Sequence, residues 1–226
     1  MNIPDGFVVG TFVSEDKNRF LCTVNIGGAD ETCYIASSCR LDNFIDLRGK
    51  TVLLKPVTSK KATTRYSVFA VKHKRGFILL NTSLANTAIS NTMHSKKLAA
   101  WGKRKNAKKE FTVDGYKTDF YIPDSKIIVE IKSIISLEDT ATFPTVYSER
   151  ALKQLKKIED LLGGEYSARL VIVSLNPHVK KVEILKDSDF YEVLLRCLEH
   201  GLIIEAFTCK LANDGKVYIH QRIPFE

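Results

Sequence analysis

Five short β-type runs fill the first 80 residues, and that density of strands leaves few folds open. Residues 7–13, 19–26, 31–35, 51–56 and 65–72 each carry alternating or continuous β-branched and aromatic residues. Asn25-Ile26-Gly27-Gly28 supplies a hairpin turn between the second and third runs. Five short strands predict a small closed barrel of the OB kind, because closure removes exposed sheet edges. A half-open sheet is the alternative. From residue 81 the texture changes to helix formers, with short helices expected over 83–91 and 94–101, followed by a tract at 103–109 that is basic on all faces. Beyond residue 110 strands and helices alternate. Strands are expected at 110–113, 116–122 and 126–131, with Asp114-Gly115 as a type I′ hairpin signal. Leu152, Leu155, Ile158 and Leu162 set a helix over 148–162 that Gly163-Gly164 ends. A buried strand at 169–175, a helix at 187–200 capped by Asp187 or Ser188, and strands at 202–210 and 216–222 follow. The expected fold class is thus a two-domain α+β or α/β protein. It comprises an OB-like barrel over 1–80, a basic helical connector over 81–109, and a mixed α/β sheet flanked by helices over 110–226.

Charge adds a functional constraint. The 226-residue chain carries a net charge of +8. Residues 47–109 contain 16 Lys and Arg and no Asp or Glu, so the remainder is net −8. Such a block suits a polyanion, because each phosphate neutralised by a cation releases condensed counterions. A solvated surface is the plainer reading, and the length of the acid-free stretch favours nucleic acid. No apolar run approaches the roughly 18–20 residues that span a bilayer, so no membrane association is expected. Residues 1–10 lack a basic and then apolar leader, so secretion is not expected. The five cysteines (Cys22, Cys33, Cys39, Cys197, Cys209) are odd in number and include no C-x-x-C pair. That argues against a disulfide framework and suits a cytoplasmic protein.

The sharpest chemical signal lies between residues 116 and 132. Asp119 sits in one strand, Pro123-Asp124 turns the chain, and Glu130-Ile131-Lys132 ends the next strand. Glu130 and Lys132 leave the same face of their strand. Hairpin pairing would bring Asp119 towards Glu130, and two converging carboxylates repel unless a divalent cation bridges them. Hard oxygen ligands suit Mg²⁺, with Mn²⁺ as a substitute. Lys132 would stand beside a water that the metal activates, which is the chemistry of phosphodiester hydrolysis. Asp119, ten residues, then Glu130-x-Lys132 is the pattern of the PD-(D/E)-x-K nuclease superfamily, although Thr118 stands where a proline is usual. A surface hairpin with a Glu–Lys pair is the other reading of the bare motif.

Matching segments along the whole chain carry a closer resemblance: Gly10-Thr11, Leu80-Asn81-Thr82 with Asn86, Thr118-Asp119-Phe120, Val129-Glu130-Ile131-Lys132-Ser133, Phe143-Pro144, Ser148-Glu149-Arg150 and Lys153-Gln154-Leu155. In their order and spacing the chain resembles the sugar fermentation stimulation protein A family, described as DNA-binding proteins and as DNA/RNA nucleases. The resemblance implies an OB-like barrel followed by a PD-(D/E)xK nuclease-like domain. It further implies Asp119 and Glu130 as metal carboxylates, the Ile131 carbonyl as a further ligand, and Lys132 as the residue that positions water. Glu110 matches a family glutamate and either completes the acidic cluster or simply ends the basic block. Arg150, Lys153 and Gln154 either hold the scissile phosphate or form a solvated first helical turn. Three departures are visible: residues 35–41 replace a Cys-Pro-Asn-Thr-Gly-Ser-Met stretch, Gln154 replaces a histidine, and Thr145 replaces an aspartate.

Among the remaining candidates, Lys96, Lys97, Lys103, Arg104 and Lys105 are expected to bind phosphates. Trp101, which lies among them, either stacks on a base or anchors its helix to the core. Tyr34, Phe44, Tyr66 and Phe69 could line a barrel face that stacks single-stranded bases, but barrel cores need aromatics too and most are expected in the core. The expected activity is that of a Mg²⁺-dependent nuclease acting on DNA or RNA. The alternative is a non-catalytic DNA-binding regulator of sugar-metabolism genes. A homodimer is compatible with the sequence, which reveals no interface.

Overall fold

Period-two burial runs through the first strands, as half-buried strands require. In β1 (Val8–Glu15), β2 (Leu21–Ile26) and β3 (Ala29–Ile35), the side chains of Phe12, Cys22, Val24, Cys33 and Ile35 face inward. The structure, a computed structural model, describes residues 3–17, 20–36, 41, 45–59, 61–145 and 147–226. Arg19, Cys39, Phe44 and the remaining residues of the 37–40 stretch lie outside the described residues. Strands β4 (Thr51–Pro56) and β5 (Tyr66–His73) extend the sheet in the order β3-β2-β1-β4-β5. A parallel pairing of Tyr34 with Ser67 and Ile35 with Val68 then closes the barrel. The half-open alternative is thereby excluded. Gly10 is required at the first crossing, where a Cβ would lie 2.5 Å from a Val24 methyl and 2.9 Å from the Asn25 carbonyl oxygen.

A strand that sequence did not suggest, β6 (Gly76–Leu79), pairs with β5 and leads out of the barrel. The Leu79 amide donates to the Leu175 carbonyl at 3.0 Å, joining barrel and second sheet through backbone. Helix α1 (Leu84–Thr92) buries Leu84, Ala85, Ala88 and Ile89 at helical spacing. A 3₁₀ segment, Lys96–Trp101, follows and buries Leu98 and Trp101.

The second sheet runs β14-β13-β11-β9-β8-β7. Its strands are β7 (Lys108–Val113), β8 (Tyr116–Ile122), β9 (Ile127–Ile134), β11 (Ser167–Ser174), β13 (Ile203–Leu211) and β14 (Val217–Ile223). β9, β11 and β13 are mutually parallel, while β7, β8 and β14 run antiparallel to their neighbours, so the sheet is mixed, as expected. A separate parallel pair, β10 (Thr140–Phe143) with β12 (Lys181–Ile184), was not anticipated. The β7–β8 turn uses positive φ at both Asp114 (44°) and Gly115 (78°), the type I′ geometry.

Helices α2 (Glu149–Leu162) and α3 (Asp189–Glu199) cover one face of this sheet, each begun by a serine N-cap, Ser148 and Ser188. That face forms one apolar cluster, with Ile128, Ile134, Leu155, Ile158 and Leu170 among its members. The opposite face shares a single apolar cluster with the barrel interior and α1, from Phe12 and Leu54 through Ile89 to Val129, Val171 and Phe207. Four cysteines, Cys22, Cys33, Cys197 and Cys209, are free and buried.

Candidate functional site

Strand β9 lies between β8 and β11, and strands buried on both faces read as nearly continuous apolar runs. Within Ile127–Ile134, Glu130 interrupts such a run while only 3 % exposed, and a buried carboxylate is costly unless partnered. Its partners are present. Lys132 Nζ lies 2.7 Å from Oε1, and the Tyr116 hydroxyl donates to Oε2 at 2.5 Å. Burial pushes the Glu130 carboxyl above the usual carboxylate range, and Asp119 adds to the rise, while Lys132 and Tyr116 oppose it. Burial and the Glu130 charge push the Tyr116 phenol upward too, so it remains a donor.

The β8–β9 ladder stops at Phe120 opposite Val129, and the same register places Asp119 opposite Glu130. Beyond that pair, side chains replace main-chain bonding. The Ile131 amide donates to Asp119 Oδ2 at 2.7 Å, and the Thr118 hydroxyl donates to the Val129 carbonyl at 2.8 Å. The N–H and C=O of one residue leave the same edge of a strand, so the Ile131 carbonyl also points into this gap. Asp119 Oδ1 accepts a bond from Asn86 Nδ2 on α1 at 2.8 Å. Lys132 Nζ donates a second bond, to Gln154 Oε1 on α2, at 2.6 Å. The gap therefore gathers two carboxylates, a main-chain carbonyl and an ammonium. The carboxylates and the carbonyl are hard oxygen donors of the kind that hold Mg²⁺, Mn²⁺ or Ca²⁺.

Two family models match the chain: the SfsA N-terminal OB domain over residues 16–80, and the sugar fermentation stimulation protein RE domain over residues 82–215. The chain belongs to the sugar fermentation stimulation protein (SfsA) family. Relatives within that family include a sugar fermentation stimulation protein homolog of Desulfitobacterium hafniense DCB-2. It is 25% identical over 216 residues, which cover 91% of this chain and 90% of the relative. A homolog of Methanosphaera stadtmanae is 28% identical over 235 residues, covering 98% and 96%. The structure of Pyrococcus furiosus SfsA in complex with Ca²⁺ has the same fold, with a TM-score of 0.82 at 23% identity, over 100% of this chain and 98% of that one.

The remaining expected site residues of this SfsA family member divide into three groups. Arg150 and Lys153 are exposed on the first turns of α2, and Lys153 is paired to Glu149 at 2.7 Å. Lys96, Lys103 and Lys105 are exposed and face solvent. The others need correction. Trp101 is fully buried and its indole N–H donates to Glu205 Oε2 at 2.7 Å, so it anchors its segment and offers no face to a base. The segment kinks at Leu98, and Trp101 packs with Leu98 in the apolar cluster shared with α1. Arg104 folds back on its own segment, bonding the carbonyls of Met93, Ala99, Gly102 and Ser95. Lys97 donates to the Ile219 carbonyl at 2.9 Å and to that of His220. Both cations are thus spent on main-chain carbonyls of the fold. Glu110, exposed on edge strand β7, is bound by Lys117 at 2.6 Å, which holds its carboxyl below the usual range. Among the described residues no group of three His, Cys, Asp or Glu side chains converges to hold a metal.

Sequence reasoning missed the roles of Asn86 and Tyr116. Asn86 carried a signal: a poor helix former set beside the buried stripe Ala85, Ala88, Ile89. Tyr116 carried none, because its contact with Glu130 depends on how β8 splays from β9.

Proposed function

We propose that this family member is a divalent-metal-dependent nuclease, acting on DNA or RNA phosphodiesters, with Asp119, Glu130 and the Ile131 carbonyl as metal ligands. The observation that carries the reading is a buried glutamate, an aspartate and a lysine meeting where the sheet ladder breaks. Pyrococcus furiosus SfsA is described in complex with Ca²⁺, a cation with the same preference for oxygen donors. A bound Mg²⁺ or Mn²⁺ would offset phosphate charge and make water acidic enough to attack. Asn86 and the Ile131 amide orient Asp119, and Tyr116 fixes Glu130. Lys132, steered by Glu130 and Gln154, presents its remaining proton to the attacking water or a phosphate oxygen. Arg150 and Lys153, exposed on the helix that supplies Gln154, would contact the phosphate of a bound strand. The Lys153–Glu149 pair is exposed and weak, and does not withhold the cation. Residues 1–80 form the binding barrel, 81–109 connect and supply Asn86, and 110–226 carry the chemistry. The protein would work in the cytoplasm, and sedimentation would show whether it works as a homodimer.

The test incubates the purified chain with single- and double-stranded DNA and RNA in Mg²⁺, Mn²⁺ or EDTA. Metal-dependent cleavage is expected, falling about a thousandfold or more in Asp119→Ala and Lys132→Ala. Cleavage that survives EDTA or both substitutions refutes the mechanism. Salt-sensitive binding without cleavage in any metal supports the regulator instead.

A further inference from the structure

The outer face of the barrel carries a pair of rings that core packing does not explain. Tyr34 points outward from β3 at 39% exposed, and Phe20, at 37%, lies just before β2. Their ring planes are nearly parallel, 13° apart, with centroids separated by 6.3 Å. The sequence leaves Tyr34 either on a barrel face or in the core. The closure of the barrel turns it out, because its neighbours Cys33 and Ile35 take the two inward positions.

Strand register places cations next to these rings. Leu21 pairs with Tyr34, Tyr34 with Ser67, and Ser67 with Lys55, so a single row crosses β2, β3, β5 and β4. Lys55 therefore lies about 10 Å from Tyr34 at two strand spacings. Arg65, two residues before Ser67, is exposed, with its guanidinium 5.6 Å from the Tyr66 ring centroid and 3.4 Å from Glu31. Lys61 is exposed in the loop that joins β4 to β5, whose ends meet through the Val57 amide and the Arg65 carbonyl. Two acids lie near the row and are themselves bonded: Asp30, on β3 with Tyr34, accepts from Asn25, and Asp16, just past β1, accepts from Thr23. A polyanion over the rings would meet its cations on the β5 and β4 side.

We propose that Phe20 and Tyr34 form a stacking platform for unpaired bases, with Lys55, Lys61 and Arg65 binding the backbone of the same strand. A flat ring stacks only on a base whose face is open, so the ligand is single-stranded nucleic acid. This rests on the nucleic-acid reading above and gives the barrel a site separate from the carboxylate gap. Proteins that hold single strands combine a positively charged track with aromatic faces, and the barrel row presents both.

The test measures fluorescence anisotropy of labelled 15-mer thymidine and mixed-sequence oligonucleotides with the full chain. It uses an Asp119→Ala background in EDTA, so cleavage plays no part. Single strands should bind more tightly than a duplex of equal length. Tyr34→Ala and Phe20→Ala should each weaken single-strand binding about five- to a hundredfold, while Tyr34→Phe retains it. Affinity within twofold of the parent in both alanine variants overturns the platform, as does a dimer that Tyr34→Ala dissociates into monomers. The two readings separate cleanly. Binding through the rings by a wild-type protein that never cleaves refutes the nuclease alone, and cleavage with ring-independent binding refutes the platform alone.

Discussion

Two buried glutamates flank the central strand β11, and they are treated in opposite ways. Glu205 on β13 stands opposite Val171, and Glu130 on β9 stands opposite Leu170. Glu205 receives the Trp101 indole N–H at 2.7 Å and Arg169 at 2.9 Å, with Arg222 3.5 Å from its other oxygen. Arginine cannot lose its proton at any ordinary pH, so this charge is compensated permanently and in full. Glu130 instead has a phenol, a lysine that it shares with Gln154, and a neighbouring carboxylate that repels it. Equal burial therefore distinguishes nothing. The completeness of the partners separates a structural carboxylate from one held ready for a cation.

The largest effect should come from breaking the closed network. Arg169→Ala leaves Glu205 buried with half its compensation and should cost about 3–5 kcal/mol of unfolding free energy. Glu130→Gln keeps an acceptor for Tyr116 while removing a charge that burial disfavours, and should change stability by less than about 1 kcal/mol. Urea unfolding of the two variants beside the wild type measures both. If Glu130→Gln destabilises as much as Arg169→Ala, Glu130 is a structural residue.

A smaller effect sharpens the open side of the contrast. Asn86→Ala and Tyr116→Phe each remove a donor that orients a metal carboxylate without removing the carboxylate. Loss of such an outer partner typically weakens metal affinity about 10–100-fold. Titration calorimetry with Mn²⁺ should show that loss while the urea midpoint moves little. Unchanged affinity in both variants would mean that the carboxylates are held by the strands alone.

The same contrast explains what was legible in the sequence. Asp119, Glu130 and Lys132 could be read because strand periodicity and a short turn fix which side chains share a face. The Glu205 network could not, since Trp101, Arg169, Glu205 and Arg222 meet only through tertiary packing. The basic neighbours of Trp101 pointed towards a ligand, but composition does not report side-chain direction. β6 escaped notice because its hairpin turns at Lys74, a non-glycine residue at φ 50° that leaves no turn signature. β10 and β12 are four residues each and pair across a long separation, beyond the reach of local pattern. The barrel and the alternating half were readable because their turns carry glycine and their helices carry serine caps.

The smallest effect concerns a half-buried pair of imidazoles. His73 of β5 and His178 beyond β11 bring their rings to 6.1 Å across the junction of barrel and sheet. The Nε2 atoms of both are buried without a partner among the described residues. Burial holds the His73 imidazole below its ordinary value, and Lys74, His178 and Lys50 add to the effect, with only Asp139 opposing. A base whose folded value is lowered binds fewer protons folded than unfolded, so its contribution is present at neutral pH and is lost as pH falls below about 6.5. Asp139, held down to about 2 by Lys74 and Lys180, stays charged throughout that range and does not confuse the result. Urea midpoints at pH 7.5 and 5.5 should therefore fall further for the wild type than for His73→Gln. An equal fall in the two proteins would show that the protons responsible bind elsewhere than at this junction.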